Sequence, residues 1–365
     1  MRSRLPPRLA RPILAGLVAV AAVAGFAAAG AAAPDGGPAR SILRVAAVQG
    51  GGRRGLRKGQ VDPSLVYQAA LAATAEVPTA AHGQLPKLVL WPEDVVSLDS
   101  PLHDNPTVEH QLASIAERLH ATLVVGVTAT VSSTAFRNEA VAFGPSGAIV
   151  GTYEKVHRVP FGEYVPYRGF FSHFVSLSAV PLDAIPGHGD GVLHTPAGPL
   201  GTMISYEVFF SDRGRIPTRA GAQLLLVPTN TSSYATDQVP TQEIAASRLQ
   251  AVAEGRDLVQ AAPTGYSAII SHRGRVLQRS SLGPRKVLVG DVALRTGSTV
   301  YRNLGDLPVL VAAAVLVAAG WLVGLVTSAD PDEGEQIAAF WRDRRRRRQQ
   351  AEQRGRAVRA GGTHS

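Results

Sequence analysis

Leu307 to Val326 is a run of twenty residues without a charge, rich in Val, Leu and Ala. As a helix, such a run matches the ~30 Å hydrocarbon core of a bilayer. A buried core helix would keep a polar face; this run has none, and a cluster of arginines follows it. The pattern predicts a transmembrane helix over 307–327 and a basic tail over 328–365. A second run, Ile13 to Ala33, is long enough but consists largely of Ala and Gly. With small residues at Ala31-Ala32-Ala33, it reads either as an uncleaved anchor or as a signal segment within a basic N-terminal region, 1–38. Residues 39–306 are left for the main domain.

Charge locates the ends relative to the membrane. The net +9 divides into +4 on residues 1–12 and +7 on residues 342–365, which leaves −2 on residues 13–341. A near-neutral body removes the support that a basic chain would lend to nucleic-acid binding. Arginines on the outer flanks of both apolar runs predict both termini in the cytoplasm and the main domain outside, at a bacterial plasma membrane. Arg344–Arg348 then faces the anionic inner leaflet. The chain has no cysteine, so disulfides, thiolate metal sites and thiol nucleophiles are excluded. Its ten histidines show no H-E-x-x-H spacing; neither metal nor cofactor is implied.

Within 39–306, strand and helix patterns alternate. Ile42–Gln49, 87–91, 122–130, Gln223–Pro228, Leu258–Ala262 and Lys286–Val292 read as strands. Residues 64–76, 106–120 and Gln242–Gly255 read as helices, and Asn138–Lys155 and Ser267–Arg279 as hairpins. This is the signature of a layered α/β domain. The Gly50–Gly55 stretch formally matches G-x-G-x-x-G, but Asp62-Pro63 precedes the next helix, so no helix N-terminus opens on the glycines as a dinucleotide site requires. Residues 156–190 are loop-like, carrying prolines 160, 166, 181 and 186 and the aromatics Phe161, Tyr164, Tyr167, Phe170, Phe171 and Phe174. They form either a lipid-facing flap or a plug over the core.

Three strand ends carry reactive groups. Leu88–Trp91 runs into Glu93, the Asn138–Lys155 hairpin ends on Lys155, and Pro199–Ile204 breaks at Ser205 ahead of an amphipathic segment. Strand ends are where α/β sheets assemble sites. There a carboxylate can take a nucleophile's proton and a lysine can stabilise a tetrahedral oxyanion. Taken singly, each has a plainer reading: Ser205 as a helix cap, Glu93 as a helix-start carboxylate, Lys155 as a surface charge.

The wording and order of these motifs resemble the nitrilase, or carbon–nitrogen hydrolase, superfamily, and within it the apolipoprotein N-acyltransferases. The likeness spans roughly 42–306 and rests on Val45–Gln49, Leu90–Glu93, Tyr153–Lys155, the run Val159-Pro-Phe-Gly-Glu-Tyr-Val-Pro166, Ile204–Glu207, Ala246–Gly255, Thr264-Gly265, Val300-Tyr301 and Gly305-Asp306. It implies a four-layer α-β-β-α sandwich flanked by one N-terminal and one C-terminal hydrophobic helix. In it Glu93 would be the general base, Lys155 the oxyanion stabiliser, Glu163 and Glu207 supporting carboxylates, and Tyr206 the nucleophile's neighbour. The implied reaction moves an acyl chain from a phospholipid donor to the enzyme, then to the N-terminal amine of a lipoprotein, with the 156–190 segment contacting lipid.

The sequence departs from that family at three places. Ser205 stands where the family has a nucleophilic cysteine, and Gln260 and Pro263 stand where relatives carry Arg and Asn. The family's multi-helix N-terminal portion is reduced to one segment, which leaves room for a membrane-protein partner that supplies the rest. A hydroxyl loses its proton far less readily than a thiol. Three readings follow: an acyltransferase working through Ser205, an inactive homologue that binds acyl chains, lipoproteins or an active partner, and an extracytoplasmic amidase.

Overall fold

The computed structural model describes residues 7–52, 61–174, 176–178, 180–234, 238–327 and 339–346. Arg53–Gly55 of the glycine-rich stretch and the tail beyond Arg346 lie outside them. The chain divides into two units, Met1–Gly305 and Asp306–Ser365.

The first unit opens with α1 (Pro7–Ala32), β1 (Ser41–Gln49), α2 (Pro63–Ala75), α3 (Val77–Ala80), β2 (Leu88–Leu90), β3 (Val96–Leu98), α4 (Pro106–Leu119) and β4 (Thr122–Ser132). The hairpin β5 (Ala135–Phe143) and β6 (Ile149–Glu154) follows, then α5 (Arg168–Phe171), β7 (Asp183–Ala184), β8 (Val192–Thr195) and β9 (Gly198–Thr202). It closes with α6 (Ser211–Arg219), β10 (Leu224–Pro228), α7 (Gln238–Glu254), β11 (Leu258–Ala261), β12 (Ala268–Ile270), β13 (Val276–Arg279), β14 (Lys286–Leu294) and α8 (Val300–Leu304). The second unit contains α9 (Leu307–Thr327).

Two mixed sheets form. One runs β14-β1-β2-β4-β5-β6, with β3 pairing β4 and β7 pairing β5; the other runs β13-β12-β11-β10-β9-β8. Period-two alternation builds the layers. On β1 and β2, Val45, Ala47, Leu88 and Leu90 enter a core between the sheets, where they meet Leu224 and Leu226 of β10 and Val259 and Ala261 of β11. The residues between them, Ala46, Val48 and Val89, pack with Leu112 and Ile115 of α4. Across the second sheet, Leu225 and Val227 pack with Ile244 and Ala251 of α7. The result is the expected α-β-β-α sandwich, each fully buried Leu or Val contributing about 1.5–3 kcal/mol of transfer free energy.

Helix α2 starts on a side-chain cap, Asp62 accepting from the Ser64 N–H, with Pro63 in its first turn. Helix α7 begins at Gln238, earlier than the periodicity predicts. No apolar stripe announces its start; its buried positions include Glu243, Ser247, Gln250 and Glu254. Among the described residues only Leu307–Gly324, in α9, is long and apolar enough to cross a membrane; Ala19–Ala32 of α1 is a shorter apolar stretch.

Candidate active site

Two turns set the first carboxylate and the hydroxyl. After β2, the chain turns through Pro92 and Glu93, with Asp94 at φ 57°. That turn lies directly against β4 at Gly126, where a Cβ would overlap the Pro92 carbonyl oxygen and the Glu93 Cα; glycine is required by this close approach. After β9, Ser205 adopts φ 51°, a left-handed conformation that is rare for a residue with a Cβ and typical of positions where a side chain must be held at a sharp turn. Ser205–Phe209 is a short 3-10 turn.

The Ser205 turn is held by Glu207. Its Oε2 accepts from the Ile204 N–H at 2.8 Å, its Oε1 accepts from the N–H groups of Val156 at 2.8 Å and His157 at 3.0 Å, and Tyr153 Oη donates to both oxygens at 2.9 Å. Glu207 therefore ties the segment after β6, which carries Lys155, to the turn that carries Ser205. It does not line the cavity between them.

That cavity, about 280 Å³, is lined by Glu93, Lys155, Glu163, Ser205, Tyr206 and Glu243, together with Val159, Phe209, Asn230, Thr231, Tyr234, Val239 and Gln242. Five of the sequence-predicted site residues, Glu93, Lys155, Glu163, Ser205 and Tyr206, thus meet in one place. The six flap aromatics do not line it. Phe161, Tyr167, Phe170 and Phe174 are exposed. Phe170 packs against Phe171 and Phe174 at centroid distances of 5.4 and 5.1 Å, and Arg158 lies over the Tyr164 ring at 4.0 Å.

Electrostatics separates the roles of the ionisable groups. Lys155 is 2% exposed and donates to Glu93 Oε1 at 2.8 Å and Glu163 Oε1 at 2.7 Å. Burial alone would depress its pKa, but the two carboxylates outweigh burial and raise it, so Lys155 is an ammonium and not a base. One ammonium cannot compensate two buried carboxylates equally. Burial works against the ionised form of Glu163 too, yet Lys155, with help from the Val159 N–H, holds its pKa low. Glu93 is raised, burial outweighing Lys155. Asn138 Nδ2 bridges both carboxylates, donating at 2.8 Å to Glu93 and 3.2 Å to Glu163.

The sequence reading missed the carboxylate beside the hydroxyl. Ser205 Oγ donates to Glu243 Oε1 at 3.4 Å and lies 3.1 Å from Thr229 Oγ1; Thr229 donates to the same Glu243 oxygen at 2.6 Å. Glu243 is 2% exposed, and its Oε2 is buried without a hydrogen-bond partner among the described residues. Burial, opposed by the Thr229 bond and reinforced by Glu93, pushes its pKa up to about 8. The signal was present as buried-side spacing, 243-247-250-254, but in polar residues that ordinarily mark a solvent face. Gln260, one of the departures from the family pattern, is buried outside the cavity lining, accepting from Ser247 at 2.6 Å and donating to the Tyr266 carbonyl at 2.8 Å. Among the described residues no group of His, Cys, Asp and Glu is arranged to hold a metal ion.

Known proteins resemble this chain in sequence and in fold. The chain is 31% identical over 297 residues to the apolipoprotein N-acyltransferase of Mycolicibacterium smegmatis, covering 78% of this chain and 48% of that protein. It is 32% identical over 237 residues to the apolipoprotein N-acyltransferase of Geobacter metallireducens, covering 64% and 45%. The chain thus spans just under half the length of these relatives. Among solved structures, the carbon-nitrogen hydrolase of Helicobacter pylori G27 superposes with a TM-score of 0.52 at 16% identity, over 69% of this chain and 89% of that one. A Saccharomyces cerevisiae member of branch 10 of the nitrilase superfamily gives 0.52 at 19%, over 70% and 91%; both likenesses establish the sandwich. With the family pattern matched from residue 44 to residue 302, the chain belongs to the carbon-nitrogen hydrolase family.

Proposed function

We propose that this chain is a membrane-held acyltransferase that moves an acyl chain from a phospholipid to the N-terminal amine of a lipoprotein through an ester on Ser205. The observation that carries the reading is the convergence of Glu93, Lys155 and Ser205, scattered over more than a hundred positions, on one cavity. In this reading Ser205 Oγ attacks the donor carbonyl and the Lys155 ammonium faces the resulting oxyanion. Glu93 and Glu163 hold that ammonium in place, and Glu207 and Tyr206 set the turn. The relatives named as apolipoprotein N-acyltransferases supply the donor and acceptor classes.

The membrane assignment draws on α9 and on the exposed flap aromatics, which suit contact with lipid; a soluble amide substrate needs neither. The sandwich, 39–306, works outside the cytoplasm, held by 307–327 and by the N-terminal segment, with the basic tail inside. An inactive lipid-binding homologue is disfavoured by the site's cost, because burying Glu93, Lys155, Glu163 and Glu243 together is expensive and a mere binder would gain by replacing them with apolar groups.

The test is transfer of a labelled acyl chain from phospholipid to a diacylated lipopeptide. Wild type gives a slow ester intermediate detectable by mass, Ser205→Ala gives none, and Ser205→Cys transfers at least tenfold faster because a thiolate forms more readily. Absence of any acyl-enzyme in both the Ser and the Cys forms would end the reading.

A further inference from the structure

A serine in place of a thiol makes proton removal the difficult step, and the structure shows which group stands ready for it. Lys155 is held as a cation by two carboxylates. The Glu93 oxygen nearest the lysine already accepts from Lys155 and Asn138, and no hydrogen bond joins Glu93 to Ser205 among those described. The carboxylate bonded to the serine is Glu243, at 3.4 Å, and Thr229 stands between them at 3.1 Å from Ser205 and 2.6 Å from Glu243. A threonine hydroxyl has one hydrogen, which rotates to suit. With that hydrogen on the closer Glu243 oxygen, the Thr229 oxygen is free to accept the serine's.

We propose that Glu243, reached directly or through the Thr229 hydroxyl, is the general base for Ser205. The proposal rests on the acyl-transfer reading and deepens it. As the Ser205 Oγ–C bond forms, the Oγ–H bond breaks; the proton passes to Thr229 Oγ1 while the Thr229 hydrogen passes to Glu243 Oε1. The carbonyl electron pair moves onto oxygen, facing Lys155. Collapse breaks the ester bond of the donor, and its leaving alkoxide takes the proton from Glu243. In the second half the acceptor amine attacks the seryl ester, and a proton from its nitrogen returns through Glu243 and Thr229 to Ser205 as the amide forms.

The charged groups facing Glu243 are Glu93 from the turn after β2 and Lys155 from the end of β6, with Glu163 beyond the lysine; Tyr206 and Tyr234 line the same cavity. A buried, raised carboxylate is a neutral acid at pH 7 and a base above pH 8.

The test is labelling of Ser205 in the full chain by a long-chain alkyl fluorophosphonate, which modifies activated serine hydroxyls without any phospholipid. Wild type should label with a rate that climbs through a midpoint near pH 8. Glu243→Gln should label about 100-fold more slowly and lose the climb, the usual loss when a general base is removed, and Glu243→Asp should recover part of both. In the Ser205→Cys background, alkylation by a long-chain maleimide should fall less than tenfold on Glu243→Gln, since a thiol ionises near pH ~8.5 unaided. Equal losses in the two backgrounds, or an unchanged rate and pH profile in Glu243→Gln, would overturn the proposal and leave the acyl-transfer reading standing. A wild-type Ser205 that never labels would remove both.

Discussion

Helices α7 and α9 invert each other. Helix α9 carries Leu, Val and Ala on every face and exposes them, Leu316 at 72% and Trp321 at 76%. Helix α7 turns Glu243, Ser247, Gln250 and Glu254 inward and leaves Leu249 exposed. Each is anomalous by the rule that apolar faces point inside. The difference lies in what the buried or exposed groups meet. On α7 each residue of the inner stripe has at least one polar partner: Thr229 for Glu243, Gln260 for Ser247, the Val208 and Phe210 carbonyls for Gln250, and Thr218 for Glu254. The α9 residues are apolar and offer no such polar groups to satisfy, and a uniformly apolar helix of this length is suited to lipid. Burial is thus decided by the available partner and solvent, and hydropathy alone cannot read either helix.

The largest expected effect comes from Glu243, which lies next to the hydroxyl and, like Glu254 on the same stripe, has a buried carboxylate oxygen without a hydrogen-bond partner among the described residues. Glu243 keeps an unbonded Oε2 and a folded pKa of about 8 against an ordinary value of 4.5. Raised in the fold, the group favours its protonated form there, so wild-type stability falls as pH climbs from the ordinary value through 8. The penalty is on the order of 5 kcal/mol once ionisation is complete. Glu243→Gln removes the titration. Chemical denaturation should show the variant gaining on wild type between pH 5 and 9, and a constant difference across that range would show that the carboxylate is not held against ionisation.

A smaller effect tests α9. An arginine near the middle of a membrane helix costs about 3 kcal/mol, so Leu316→Arg should lower the fraction of full-length protein that resists alkaline extraction from membranes, while the sandwich keeps its thermal transition. Unchanged extraction would mean that α9 is apolar for another reason, and the contrast with α7 would lose one arm.

The sandwich was legible because β2 and β10 are buried on both faces and read as unbroken apolar runs, because β1 does so from Val45 to Val48, and because Pro63 and Pro106 mark helix starts. The residues brought together in the cavity were legible only as strand-end groups and as words of a known family. Nothing in the spacing of 93, 155 and 205 states that they meet; that depends on the fold. Glu243 and Thr229 were not legible, since a Glu on a helix and a Thr after a strand are commonplace, and their meaning is a 2.6 Å contact across 14 residues. Glu207 was legible as a site carboxylate but not as to its task, which is to bind backbone N–H groups on both sides of the cavity.

The smallest effect bears on how α7 shapes the reactive turn. Gln250 Nε2 donates to the carbonyls of Val208 at 2.9 Å and Phe210 at 3.0 Å, the residues that close the short turn opened by Ser205. Gln250→Leu keeps the volume nearly constant but leaves both acceptors without that donor, so the expected loss is about 2 kcal/mol, read as a fall in the urea midpoint with unchanged slope. The same change frees the turn whose left-handed residue carries the hydroxyl, so Ser205 labelling should slow several-fold while its pH midpoint, a property of Glu243, stays put. A shifted midpoint would mean that Gln250 acts through the carboxylate. A neutral Gln250→Leu would mean that the polar stripe of α7 holds only the chemistry at its first turns, and that the rest of the helix could have been apolar like α9.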